Sequence, residues 1–268
     1  MKQKSILAII LLPLIAATAA TENTREQAGQ IVSRIQRADS EGDRAALKKS
    51  YDDLAPFVEN ADLASRIRYW RGFALWRRAI NGFNDKVDPT ELEQDLETAM
   101  EEFKQALAKD PKFVDAKVGI ISSLGFSMFT NPKDEARKKE VIGQIITLVR
   151  EARELAPDNP RLLWVCGPIL WNMPAEKGGG RDKAIENYRK ALEICARTKA
   201  SEDLLEPSWG KPELMMSLAY SYLNTQPPDL NAAEQNARGA LEIVPYWRYV
   251  RDILLPQILA AKTGQSSH

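Results

Sequence analysis

The sequence predicts an all-α protein, a solenoid of antiparallel helix pairs with a capping helix at its N-terminal and C-terminal ends. First, a stripe of small, aromatic and small residues recurs along the chain, as in Ala184, Tyr188 and Ala191. Their spacing of four and then three residues places them on one face of a helix. Second, a proline follows most copies and ends the helix. Third, an apolar pattern after the prolines supplies the partner helix of each pair.

The stripe indicates close helix packing, because small residues let a neighbouring helix approach and the ring fills the space between them. In the copy around Tyr188 the proline position is Ala196, so that helix can run on. The other copies, each with a proline five residues after its last member, are Ala99, Phe103, Ala106 and Pro111; Ile145, Val149, Ala152 and Pro157; and Ala233, Ala237, Ala240 and Pro245.

The partner helices carry apolar, apolar, small and apolar residues at a fixed spacing. They are Leu163, Cys166, Gly167 and Leu170, and then Met215, Leu218, Ala219 and Tyr222 in the phrase MMSLAYSYL. Together with the stripe, this spacing resembles the tetratricopeptide repeat (TPR) family over residues 70–245. The resemblance implies stacked helix pairs with a concave surface for partners. The copies lie further apart than the roughly 34 residues of a usual unit, so we expect longer loops, where such scaffolds specialise.

Residues 1–20 are predicted to be a signal peptide. Lys2 and Lys4 precede an apolar run over residues 5–15, and Ala17, Thr18 and Ala19 form a small-x-small cleavage site. The run is too short to span a membrane comfortably, and no cysteine follows it for a lipid anchor. We therefore expect an exported protein, located in a periplasm, with no integral membrane segment after cleavage.

Residues 21–60 are predicted to form an N-terminal helical hairpin or cap, with helices over 24–39 and 43–58. Asp62 is the expected N-cap of a helix that reaches residue 80. This helix carries too many large rings for a surface helix, so most are expected in the core. These rings and their small neighbour are Tyr69, Trp70, Phe73, Ala74 and Trp76.

Residues 61–245 are predicted to contain about four TPR-like helix pairs with insertions. Pro89 suits the first turn of the helix that carries Ala99. Asp134 is expected to start a later helix, and Pro168 is expected to kink another at a cost of about 3 kcal/mol. The remaining helices are predicted over residues 113–129, 134–155, 162–172, 181–196, 213–223 and 230–243. Residues 246–268 are expected to form a C-terminal capping helix, with Pro256 inside it, and a frayed tail.

Two insertions interrupt the repeats. In residues 173–180, the run Gly178, Gly179 and Gly180 with Arg181 beside it could form an anion nest before a helix; the alternative is a plain flexible turn. This Pro, Gly-Gly and Lys-Ala phrase also resembles the periplasmic TPR proteins that form the T component of TRAP-type solute transporters. The second insertion covers residues 199–212 and contains Trp209.

Composition excludes several function classes. Lys plus Arg and Asp plus Glu number 37 each, so nucleic acid and anionic membranes are not expected partners. The sole histidine is His268, which removes histidine triads and nearly all histidine metal sites. Carboxylates such as Glu91, Glu93 and Asp95 are expected at the surface. We therefore predict no enzyme activity, no cofactor and no metal.

Cys166 and Cys195 are the only cysteines. If their helices form a hairpin, they lie at different distances from its turn, and a disulfide needs Cα atoms within about 7 Å. We expect buried free thiols, and the sequence leaves their oxidation state open.

A partner groove is predicted on the concave side. Trp164 and Trp171, seven residues apart, return to nearly the same helix face, offset from the core positions. By the same offset the flanking first helices contribute Val118, Phe126, Met216 and Tyr220. Such a lining suits a protein or peptide segment, or an apolar or planar small molecule. The alternative is that these rings pack on the kinked helix, the insertions or the C-terminal helix.

The predicted function is therefore an exported TPR-like scaffold for protein interaction or assembly. The alternative is a periplasmic small-molecule-binding accessory protein of a TRAP-type transporter.

Overall fold

The computed structural model describes the backbone of residues 8–130 and 132–265, and side chains from residue 22 to residue 264 except 131. In this part of the chain every regular element is helical. The helices are α1 (Ala8–Glu41), α2 (Arg44–Asp53), α3 (Ala64–Asn84), α4 (Pro89–Lys109), α5 (Val114–Thr130), α6 (Glu135–Leu155), α7 (Pro160–Asn172), α8 (Arg181–Arg197), α9 (Lys211–Leu223), α10 (Leu230–Ile243) and α11 (Leu255–Gln265).

The helices pack in consecutive pairs, α3 with α4, α5 with α6, α7 with α8 and α9 with α10. The α1–α2 hairpin packs on α3, and α11 packs on α10. This is the TPR-like all-α solenoid that the sequence predicts. None of the described helices is long and apolar enough to cross a bilayer. The proposed signal peptide includes residues 1–7, which lie outside the described residues, as do the side chains of the rest of it.

The alanines of the repeated stripe are fully buried, as the sequence predicts. Ala106, Ala152, Ala191 and Ala240 each have 0% exposed surface. Because alanine adds one methyl group beyond the backbone, the second helix of each pair can lie close to its neighbours. The shared core of the stack therefore runs along these positions.

The rings of the stripe fit against glycines of the adjacent helices. A Cβ atom on Gly119 of α5 would lie 2.4 Å from the ring of Phe103 of α4, and one on Gly72 of α3 would lie 2.9 Å from the same ring. On Gly167 of α7 it would lie 2.0 Å from the ring of Tyr188. Real Cβ atoms do not approach so closely, so any larger side chain at these positions would force the ring or its helix to shift.

The apolar core divides at α7. Leu162, Val165 and Cys166 belong to a cluster with α1 to α6, whereas Leu163 belongs to a cluster with α8 to α11. Trp164 packs against both clusters. The first cluster is dominated by the rings of α3, which are buried as predicted. Those with at most 1% exposure are Tyr69, Trp70, Phe73 and Trp76.

Several helix boundaries follow the predicted signals. Pro89 is in the first turn of α4 after the N-cap Asp88, and the Asp134 carboxylate caps α6 by accepting from the Arg137 amide. The prediction for Asp62 is wrong, because α3 starts later, at N-cap Leu63, without a side-chain cap. Instead, the Asp62 amide donates to the side chain of Asn60.

Pro168 lies inside a single continuous helix, α7. Near it, the Asn187 side-chain amide donates to the carbonyl of Leu163 at 2.6 Å, and the Asn172 side-chain amide donates to the carbonyl of Pro168 at 2.8 Å. Proline at position 168 has no N–H, so the carbonyl that loses its intrahelical partner is that of Trp164, and these two side-chain bonds add to neighbouring carbonyls of the same helix. At the C-terminus, five residues of π-helix, Val250–Leu254, precede α11, which contains Pro256.

The expectation that the acidic cluster of α4 lies at the surface is wrong for Asp95. This carboxylate is buried and accepts from Arg78 at 2.6 Å. Desolvation raises its pKa even beside that cation. Neither cysteine forms a disulfide; Cys166 is buried and Cys195 is half-buried.

The ring-on-glycine contact yields a stability prediction. Gly119→Ala is expected to lower the free energy of unfolding by about 1–3 kcal/mol, because the added methyl group overpacks against Phe103. Gly125→Ala on the same helix is the matched control, since no atom lies within 4 Å of its added Cβ, and it should stabilise by up to about 1 kcal/mol through helix propensity. Urea unfolding followed by circular dichroism measures both. Equal effects of the two variants would contradict the steric explanation.

A candidate binding groove on the concave face

Five of the predicted groove residues surround one open cavity of about 350 Å³ between α5, α7 and α9. They are Phe126, Trp164, Trp171, Met216 and Tyr220. The helices α5, α7 and α9 are the first helices of consecutive pairs, so the cavity lies on the concave side of a TPR-like stack. We call it the aromatic groove.

Val118 is not part of the aromatic groove, which corrects the prediction for this residue. Its side chain is completely buried, whereas Ser122 and Phe126 further along α5 line the cavity. The groove therefore begins one turn further along α5, at Ser122. At that end of the concave face, the ring of Trp209 packs between α3 and α7, 5.8 Å from Trp76 and 5.6 Å from Trp164.

The second insertion therefore fills part of the hollow side. The indole of Trp209 donates to the Tyr69 hydroxyl at 2.7 Å, and the indole of Trp70 donates to the carbonyl of Leu205 at 2.8 Å. Arg161 also donates to the carbonyl of Trp209 at 3.1 Å. These contacts hold the insertion against α3 and α7, and they limit the aromatic groove to the C-terminal half of the concave face.

Trp164 is a wall of the groove that is fixed from two sides. Its indole donates to the hydroxyl of Ser217 on α9 at 3.0 Å. Its ring meets Trp209 edge-on, at 5.6 Å between centroids, and Trp76 at 6.2 Å. Trp164 therefore packs against the second insertion, as the alternative interpretation of the sequence expected. The same ring also lines the cavity.

Tyr220 is the exposed ring of the aromatic groove, whereas Trp171, like Trp164, is partly buried. Tyr220 is 48% exposed, and Trp171 is half-buried with the guanidinium of Arg181 placed 5.1 Å from its ring centroid. Arg181 also donates to the carbonyl of Asn224 at the end of α9, at 2.7 Å. A cation over the ring favours this orientation of the indole.

The polar groups of the aromatic groove are neutral. No residue that lines this cavity in the described chain is charged; the polar members are Ser122, Asn172, Tyr188, Ser217, Tyr220 and Ser221. Burial raises the pKa of Tyr188, so its phenol keeps its proton at neutral pH. The groove thus offers rings for apolar contact and a few hydroxyl and amide groups for orientation.

The glycine run before α8 forms a turn and no anion nest, which corrects that prediction. The amides of Gly178, Gly179 and Gly180 donate to the carbonyls of Ala175, Pro174 and Leu170 at 2.9, 3.1 and 2.8 Å. Gly178 has a left-handed φ of 82° and Gly180 a φ of 118°, conformations that glycine adopts readily. The amides are engaged within the turn, and Arg181 is engaged with Trp171 and Asn224.

Comparisons with known proteins show a similarity of fold alone. No family model matches the sequence, and no curated protein matches it. The solved structure of the HusA haemophore from Porphyromonas gingivalis is similar with a TM-score of 0.58 and 21% identity, over 75% of this chain and 94% of the haemophore. A thermophilic TPR protein from Thermus thermophilus has a TM-score of 0.46 and 19% identity, over 81% of this chain and 99% of its own.

The different settings of the two tryptophans yield a prediction. Trp164→Ala is expected to cost about 3–5 kcal/mol of unfolding free energy, because it removes a large ring from between both core clusters. Trp171→Ala should cost less, about 1–2 kcal/mol, since Trp171 packs against the second cluster alone and against Arg181. Thermal and urea unfolding of the two single variants measures the difference. If Trp171→Ala proves as destabilising as Trp164→Ala, Trp171 is a core residue and not an available wall of the groove.

Proposed function

We propose that this protein is an exported, non-enzymatic binding protein whose aromatic groove captures an apolar segment of a partner protein. The observation that carries the proposal is the lining of the groove: several rings, a methionine and neutral polar groups converge from three consecutive helix pairs. Buried aromatic rings are the residues that contribute most binding energy in protein interfaces.

The rings of the aromatic groove favour a peptide whose apolar side chains make the contacts. Trp171 and Tyr220 present rigid surfaces with little rotamer entropy to lose on binding. Asn172 and the serines can bond the peptide backbone. Because the lining carries no charge, the chosen segment is expected to be apolar and uncharged at its centre.

A flat, apolar small molecule is the second candidate. Phe126, Trp164, Trp171 and Tyr220 all line the cavity, and aromatic faces stack well on planar ligands. The similar structure from Porphyromonas gingivalis is named a haemophore, which makes a porphyrin a suitable probe. A solute-binding accessory of a transporter would use the same groove in this way.

The test begins with peptide selection, because no partner is identified. A phage-displayed peptide library is selected on the immobilised wild-type protein, and affinities of the selected peptides are measured by fluorescence polarisation. We expect peptides rich in Leu, Phe and Trp. The double variant Trp171→Ala, Tyr220→Ala should bind them roughly 30-fold more weakly, a loss of about 2 kcal/mol.

Ile243→Ala is the control for the double variant, because Ile243 is 44% exposed and lies on α10 outside the groove. It should leave peptide affinity unchanged. A failure to select any peptide, or equal affinity of the double variant, would reject peptide capture. If protoporphyrin IX then quenches tryptophan fluorescence saturably in the wild type and not in the double variant, the small-molecule function replaces it.

A further inference from the structure

A second, larger cavity lies on the other side of α7 and shares no lining residue with the aromatic groove. It measures about 610 Å³ and lies between α6, α7 and the first insertion. The insertion contributes Met173, Lys177 and Gly178. The volume falls within the range of about 300–1,000 Å³ that is usual for small-molecule sites.

The cavity exists because α6 packs on α5 and diverges from α7. Val141, Ile145 and Ala152 of α6 are buried in the first core cluster. Their neighbours along the cavity are less covered, and Ile146 is 65% exposed. An isoleucine so exposed beside an open apolar space indicates a surface that the described chain itself does not cover.

The lining of this cavity is ordered along α6. Ile145, Ile146 and Val149 come first, and Arg150 and Arg153 follow. From Ile145 to Glu154 the helix extends about 14 Å at 1.5 Å per residue. Along this helix the apolar residues therefore precede the two arginines.

The cations that line the cavity have no carboxylate partner. No ion pair within the described residues involves Arg150, Arg153 or Lys177. Glu154 also lines the cavity. By contrast, all the arginines of α3 are paired; they are Arg66, Arg68, Arg71, Arg77 and Arg78. The cavity thus keeps positive charge that no carboxylate of the described chain neutralises by contact.

We propose that this cavity binds a single-chain lipophilic carboxylate, of the class of medium-chain fatty acids. The chain covers the isoleucines and Val149, and the carboxylate accepts hydrogen bonds from Arg150 and Arg153, whose guanidinium groups match it in geometry. The run of apolar residues along α6 suits an extended chain. The Cys166 wall stays neutral, because burial raises the pKa of its thiol.

Isothermal titration calorimetry of the full chain with decanoate tests the proposal. Saturable one-to-one binding is expected. Butanoate, which lacks the chain, and decyltrimethylammonium, which reverses the charge, should each bind at least tenfold more weakly. Absence of saturable decanoate binding, or equal binding of the cationic amphiphile, would overturn the proposal.

Charge variants test whether the two arginines bind the carboxylate. Arg150→Gln with Arg153→Gln should weaken decanoate binding at least tenfold and reduce its dependence on salt. Arg197→Gln is the matched control, because Arg197 is exposed and donates to the carbonyl of Glu193, away from the cavity. All of these side chains are on the surface, so helicity should stay at the wild-type value. Equal affinities of the two variants would contradict the role of the arginines.

Apolar variants identify the cavity wall. Ile146→Glu should weaken decanoate binding at least tenfold, because it places a carboxylate at the wall. Ile142→Glu, on the same helix and 48% exposed, does not line the cavity and should bind as wild type. A dimer that Ile146→Glu alone dissociates, seen by analytical ultracentrifugation, would overturn the proposal, since a second copy would then cover this surface.

This proposal does not depend on the function of the aromatic groove, and one variant separates the two. Trp171 lies on the groove side of α7, so the Trp171→Ala variant should bind decanoate as the wild type does. Loss of decanoate binding in Trp171→Ala would show that the carboxylate enters the aromatic groove instead.

Discussion

The fit of an aromatic ring into a glycine notch is the constraint on which the stack depends. Phe103 closes against Gly119 and Gly72, and Tyr188 closes against Gly167. The ring needs the missing Cβ of its neighbour, and the buried alanines beside it allow that approach. Because a side chain at any of these glycines would push the ring and its helix away, the spacing between first and second helices is set at these few points.

The two insertions explain why only part of a regular concave surface remains open. Trp209 and Leu205 of the second insertion enter the first core cluster and cover the concave face beside α3. The first insertion turns tightly before α8, with glycine amides bonded to its own carbonyls and to that of Leu170 at the end of α7. What is left is the aromatic groove on one side of α7 and the larger cavity on its other side.

Helical period and small-residue spacing were sufficient to predict the fold and the placement of most groove residues, because both follow from local geometry. They failed where distant contacts decide. Val118 obeys the same offset as Phe126 but is buried in the core cluster that Trp209, an insertion residue far along the chain, also enters. Asp95 has the sequence context of a surface carboxylate, yet Arg78 of the preceding helix draws it inside. The cavity beside α6 had no sequence signal, since a divergence between consecutive helices depends on packing that no local pattern encodes.

The division of the core at α7 has a mechanical consequence. Two apolar clusters meet at one helix of 13 residues, and Trp164 is the large side chain of that helix that packs against both. Contacts away from α7 also join the two halves, since Arg248 pairs with Asp85 at 2.8 Å and Arg37 lies 4.5 Å from the centroid of the Tyr246 ring. An occupant beside α7 would therefore stabilise a helix on which both clusters depend.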